Sequence, residues 1–91
     1  MYRIIEGRGT GKTLQLMLLA KENNGIFVCS NPYAMEQKAR AYGLTGFRIV
    51  SYHDYLNDIY DWSKEKCFID ELEEFVKYIG NNLTGYTLSL E

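Results

Sequence analysis

The stretch Gly7-Arg8-Gly9-Thr10-Gly11-Lys12-Thr13 places three glycines in five positions and follows them with an ammonium and a hydroxyl. Glycines at that density let successive backbone N–H groups turn toward one centre, which is how a peptide chain surrounds a phosphate. Lys12 and Thr13 then stand where the phosphates of a nucleotide and its Mg²⁺ would be met. The apolar run Tyr2-Arg3-Ile4-Ile5 lies ahead of the turn and a helix-forming stretch lies behind it, so the turn is expected between a strand and a helix. A second chemical feature is Cys67-Phe68-Ile69-Asp70-Glu71, an apolar run that ends in two adjacent carboxylates.

These groups need elements to hold them. Lys12 to Asn23 carries Leu14, Leu16, Met17, Leu18, Leu19 and Ala20, which favour a largely buried helix, and Asn23-Asn24-Gly25 supplies its stop. Ile26-Phe27-Val28-Cys29 is a short continuous apolar run bounded by Gly25 and by Ser30-Asn31-Pro32, the pattern of a strand covered on both faces. Tyr33 to Tyr42 has helical spacing with Gly43 as its cap, and Phe47 to Val50 reads as another strand. Ser51, with Asp54 three residues on, caps an amphipathic helix expected over Tyr52 to Trp62. Cys67 to Ile69 is a strand, Leu72 to Ile79 a short helix stopped by Gly80, and Tyr86 to Leu90 a last strand. The alternation predicts an α/β fold: a single three-layer domain over residues 1–91, built on a mainly parallel five-stranded sheet with functional turns at the carboxyl ends of its strands.

Gly11-Lys12-Thr13 match the second half of the Walker A pattern of P-loop nucleoside triphosphatases, and the chain resembles that family. It departs in the first half. Glu6 holds the place of the leading Gly, where a carboxylate either repels bound phosphates or points away from the loop. Cys67-Phe68-Ile69-Asp70-Glu71 looks like a Walker B strand in the right order, and its Asp-Glu pair is similar to that of the additional-strand division, which holds helicases and RecA-like ATPases. The resemblance implies ATP and Mg²⁺ as ligands, with Gly7, Arg8, Gly9, Thr10, Gly11, Lys12 and Thr13 binding nucleotide. It further implies Thr13 and Asp70 on the metal, Glu71 polarising the attacking water and Lys12 neutralising charge. Tyr86-Thr87-Leu88-Ser89 fits the family's inserted strand, which makes Thr87 and Ser89 candidate γ-phosphate sensors. The resemblance is strongest to small P-loop proteins of bacteriophages, which share the Arg-Gly-Thr-Gly-Lys-Thr loop, a Val-Cys-Ser-Asn ending and an Ile-Asp-Glu strand. No Asn-Lys-x-Asp guanine motif occurs, which favours ATP over GTP. Within these 91 residues there is no second RecA-like domain and no arginine finger from one, so any hydrolysis is expected to be slow unless Arg8, Arg40 or Arg48 of another copy enters the site.

Composition sets the outer bounds. A 46% apolar chain with one proline and no low-complexity run is globular, although a domain this small buries only about two-thirds of its unfolded surface. A net charge of −2 disfavours a broad nucleic-acid surface, which needs clustered Lys and Arg. No apolar stretch approaches membrane-spanning length and no basic region precedes an apolar signal segment, so a cytoplasmic protein is expected, in a host cell if phage-encoded. Cys29 and Cys67 have neither metal nor redox spacing and are read as buried reduced thiols. A different class of function is also open. Asp54, Asp58 and Asp61 form an acidic stripe beside Tyr52, Tyr55, Tyr60 and Trp62, either a solvated face or a surface by which a phage protein blocks a host defence or replication factor. A terminal strand with nothing after it leaves an edge open to self-association.

Overall fold

The structure, a computed structural model, describes residues 2–5, 11–57, 64–87 and 89. Its elements run α1 (Lys12–Glu22), β1 (Ile26–Cys29), α2 (Pro32–Ala41), β2 (Arg48–Ser51), α3 (Tyr52–Asn57), β3 (Cys67–Ile69) and α4 (Leu72–Ile79). The three strands make a parallel sheet in the order β2-β1-β3. In the register, Phe27 sits beside Ile49 on one side and Phe68 on the other.

The continuous apolar run becomes the central strand because both of its faces are covered. Ile26, Phe27, Val28 and Cys29 are all buried, and alternation sends them to opposite sides. Phe27 and Cys29 meet Met17 and Ala20 of α1 and Ala39 of α2. Ile26 and Val28 meet Tyr52 of α3 and Phe75 of α4. The chain moves outward from β1 to β2, then back past β1 to β3. Two crossovers of one hand running in opposite directions must lie on opposite faces, which is where α2 and α3 are found. The carboxyl ends of β1 and β3 therefore flank a switch point, the position at which open α/β sheets form a crevice.

Local chemistry sets the helix ends. α1 closes with Asn24 in the left-handed region at φ 53, its N–H bonded to Lys21 O and that of Gly25 to Ala20 O, a Schellman closure. Within the Asn23-Asn24-Gly25 stop, the left-handed residue is thus Asn24. Gly25 is demanded instead by close approach, since a Cβ there would lie 2.7 Å from Lys66 O and 2.6 Å from the Phe68 ring. α2 starts on Asn31, whose side chain accepts from the Ala34 N–H, with Pro32 at the first helical position. It ends on Gly43 at φ 72. Ser51 accepts from the Asp54 N–H at 3.0 Å, as its spacing predicts, so α3 begins without a connecting loop.

The described residues hold three strands, where five were expected. Tyr2–Ile5 forms no ladder: Tyr2 and Ile5 are 60% and 71% exposed, and the Tyr2 ring lies 6.1 Å from that of Phe68. Apolar residues bring a segment near a sheet, but a strand also requires its N–H and C=O groups in register with a neighbour. Tyr86 and Thr87 are likewise irregular and exposed, while Leu88 and Leu90 lie outside the described residues. The helix expected to reach Trp62 is described only to Asn57. Among the described residues no helix is long and apolar enough to cross a membrane.

Candidate functional site

Gly11 caps α1 at φ 77, a left-handed conformation that L side chains resist, and Lys12 and Thr13 are the first helical residues. The first turn of α1 contains no acid, so its unsatisfied N–H groups and the Lys12 ammonium concentrate positive charge at one place. Gly7, Arg8, Gly9 and Thr10, with Glu6, lie outside the described residues.

β3 delivers the two acids. Asp70 continues the sheet, its N–H bonded to Val28 O at 2.9 Å, and its side chain is buried. Thr13 Oγ1 donates to this carboxylate, 3.3 Å from Oδ1 and 3.4 Å from Oδ2, across 57 residues of sequence. Burial and the neighbouring Glu71 push the Asp70 carboxyl above the usual range, while the Thr13 hydroxyl, then Lys38, then Lys12 pull it down. Glu71 follows in the left-handed region at φ 55 and ψ 68, an uncommon conformation for a residue with a Cβ. This turn swings Glu71 out of the strand direction, and its carbonyl accepts from the N–H groups of Glu74 and Phe75 at the start of α4.

Above these groups opens a cleft of about 640 Å³, lined by Gly11, Lys12, Thr13, Leu14, Lys38, Tyr42, Glu71 and Glu74. Its size suits a nucleotide-sized ligand. One end is cationic, at Lys12 and the α1 N-terminus. The Thr13 hydroxyl on its lining meets the buried Asp70 carboxylate behind it. Both are hard oxygen ligands of the kind Mg²⁺ takes in small number, completing its shell with phosphate oxygens and water. Among the described residues no three His, Cys, Asp or Glu side chains gather into a metal site of their own.

The structure thus brings together Gly11, Lys12, Thr13 and Glu71 around the cleft, with Asp70 beneath it. It does not bring Thr87 or Ser89 there; both are exposed and neither lines it. Asp54 is exposed on α3, and Asp58 and Asp61 lie outside the described residues. Tyr52, read as a surface anchor, is 4% exposed. Its hydroxyl donates to Asp70 O at 2.6 Å, and Glu71 O lies 3.2 Å away. Arg48 pairs with Glu65 at 3.2 Å at the amino end of β2, away from the cleft. Cys29 is buried, Cys67 is partly buried, and both thiols are free. Sequence reasoning missed Lys38, Tyr42 and Glu74. Lys38 and Tyr42 share one helical face at a spacing of four, a pattern equally common on helices that bind nothing.

Compared with known proteins, the chain matches no family model, no curated protein and no solved structure.

Proposed function

We propose that this chain binds ATP with Mg²⁺ in the cleft at the α1 N-terminus and hydrolyses it slowly. The observation that carries the reading is the contact between Thr13 and Asp70, which places a hydroxyl and a carboxylate beside Lys12 although 57 residues separate them. A chance glycine-rich turn gives no reason for a buried acid to end opposite its threonine.

In this reading the N–H groups at the start of α1 and the Lys12 ammonium hold the phosphates, and the glycine-rich turn adds its amides. Thr13 Oγ1 and the Asp70 carboxylate would hold Mg²⁺, which when bound neutralises charge on the phosphate oxygens. The Glu71 carboxylate on the cleft wall accepts a proton from a water attacking the terminal phosphorus as the bond to the bridging oxygen breaks and ADP leaves. The alternative, a host-factor-binding protein on the same scaffold, has Asp54 alone of its three acids among the described residues, and one exposed acid does not separate a partner surface from a solvated face.

Thermal unfolding with and without millimolar ATP and Mg²⁺ tests the proposal. A ligand at one hundred times its Kd stabilises by about 2.7 kcal/mol, a shift of several degrees for a domain of this size. The shift is expected for the wild type and absent in Lys12→Ala. Equal stabilisation of the variant overturns the assignment.

A further inference from the structure

We propose that Tyr42 is the nucleobase platform of the cleft: its ring stacks on the base of a bound nucleotide and favours a purine over a pyrimidine. This inference rests on the nucleotide-binding reading above and adds to it the part of the ligand that the phosphate-binding groups do not specify.

The topology sets Tyr42 apart from the phosphate end. β1 and β2 are parallel, so α2 leaves the carboxyl end of β1 and travels back toward the amino end of β2. Gly11, Lys12 and Thr13 open α1, and Glu71 leaves β3, all at the carboxyl edge of the sheet, where Thr13 meets Asp70. α2 lines the cleft with Lys38 and Tyr42, and of these Tyr42 lies one turn, about 6 Å, further along the helix from that edge. On the α2 wall, Tyr42 is therefore the residue set back from the phosphate end.

The lining changes character with this direction. Lys12, Thr13, Glu71 and Glu74 are polar or charged and gather at the starts of α1 and α4. Leu14 and Tyr42 are the large apolar side chains on the lining, and they come from α1 and α2, which share one face of the sheet. A nucleotide has the same division, a charged phosphate chain joined to a flat apolar base. Tyr42 supplies the aromatic face on that lining among the described residues.

The ring is open while its backbone is fixed. Tyr42 is 49% exposed, and among the described residues its ring packs on no other aromatic and its hydroxyl has no hydrogen-bond partner. Its N–H bonds to Lys38 O at 3.0 Å, and the N–H groups of Gly43 and Leu44 close the helix onto Arg40 O and Ala39 O. A tyrosine on a fixed stem has two side-chain torsions left to order, so it offers contact area at small entropic cost. Stacking depends on the area of the base rather than on its edge. The lining carries no Asn, Gln or Asp side chain among the described residues to address that edge, so selection falls to ring size, which favours a purine.

The test measures Kd by titration calorimetry for the Mg²⁺ complexes of ATP, CTP and inorganic tripolyphosphate, using wild type, Tyr42→Ala and Tyr42→Phe. The three proteins should share one unliganded melting temperature, because Tyr42 is half exposed at the end of its helix. The expected result is a loss of ATP affinity of about tenfold in Tyr42→Ala, the size of one base–aromatic stack, with tripolyphosphate affinity within about twofold of wild type. The preference for ATP over CTP should collapse in Tyr42→Ala and survive in Tyr42→Phe. Unchanged ATP affinity in Tyr42→Ala, or an equal loss for tripolyphosphate, overturns the platform while leaving phosphate binding standing. A loss in Tyr42→Phe as large as that in Tyr42→Ala also overturns it, because it assigns the effect to the hydroxyl, and equal wild-type affinities for ATP and CTP overturn the purine preference. Failure of the wild type to bind either ATP or tripolyphosphate overturns both readings together.

Discussion

The Tyr52 hydroxyl donates a 2.6 Å hydrogen bond to the main-chain carbonyl of Asp70. Tyr52 is the first residue of α3 and Asp70 the first beyond β3, so this bond ties the start of one crossover helix to the acid turn across the sheet. Its ring is packed edge-on against Phe75 of α4, with centroids 5.2 Å apart. The turn it holds includes Glu71 at positive φ, a conformation that persists only where surrounding contacts over-determine it. Tyr52 is therefore a positioning residue for the acid pair.

Tyr52→Phe keeps the ring and removes the donor, leaving a buried carbonyl short of a partner. The expected loss is about 1–3 kcal/mol, seen as a fall of several degrees in the melting temperature. Nucleotide affinity should change little, because Lys12 and Thr13 are untouched, while kcat should fall more than KM rises as Glu71 loses its fixed direction. An unaltered melting temperature and kcat would show that the hydroxyl positions nothing.

Asp70→Asn should separate stability from binding. Burial and then Glu71 raise the Asp70 carboxyl above its unfolded value, so between the two values the folded chain holds more protons than the unfolded one. Stability contributed by this group is thus greatest below the unfolded value and declines as pH rises through the folded one. At neutral pH its ionisation is a net cost, and the asparagine variant should melt higher than wild type without nucleotide. The same variant should lose at least tenfold in Mg²⁺-dependent ATP affinity. In the wild type, stabilisation by ATP with Mg²⁺ should grow as pH rises through the titration of Asp70, and melting curves between about pH 4 and 8 check both signs.

Gly25→Ala is expected to destabilise through packing rather than backbone conformation. The new methyl would meet Lys66 O and the Phe68 ring below 3 Å, and Lys66 O already accepts the Ile26 N–H at 2.8 Å. Forcing β3 away from β1 should cost about 1–3 kcal/mol, read as a lower urea midpoint with an unchanged slope.

The two thiols should differ in reactivity. Burial pushes the Cys29 thiol up to about 12, and Cys29 is 1% exposed. Burial also raises Cys67, which is only partly covered at the start of β3. Since the thiolate is the nucleophile, iodoacetamide at pH 8 should label Cys67 first and leave Cys29 unmodified until denaturant is added. Peptide mass spectrometry reads the two sites separately, and rapid labelling of Cys29 in the folded chain would contradict its burial.

Local signals were sufficient for much of the fold. The Ile26–Cys29 run announces a doubly covered strand, and Asn31-Pro32, Ser51 with Asp54, and Gly43 mark helix ends through chemistry confined to a few residues. Lys12, Thr13, Asp70 and Glu71 were legible for the same reason, because a glycine-rich turn and an acid-terminated strand are read from adjacent positions. The count of strands was not. Tyr2–Ile5 and Tyr86-Thr87 have strand composition, but a ladder depends on the partner met in space, and composition carries no register.

The sequence by itself determined the α/β alternation, the helix caps and the identity of the candidate groups in the glycine-rich turn and the acid-ended strand. Only tertiary structure decided that Thr13 and Asp70 touch, that Tyr52 turns inward to hold the acid turn, and that Lys38 shares the cleft. The reason is range. Propensity and capping act over one helical turn, whereas these three relationships arise where the strand order β2-β1-β3 places the ends of different elements together, and that order is fixed by burying both faces of β1 at once.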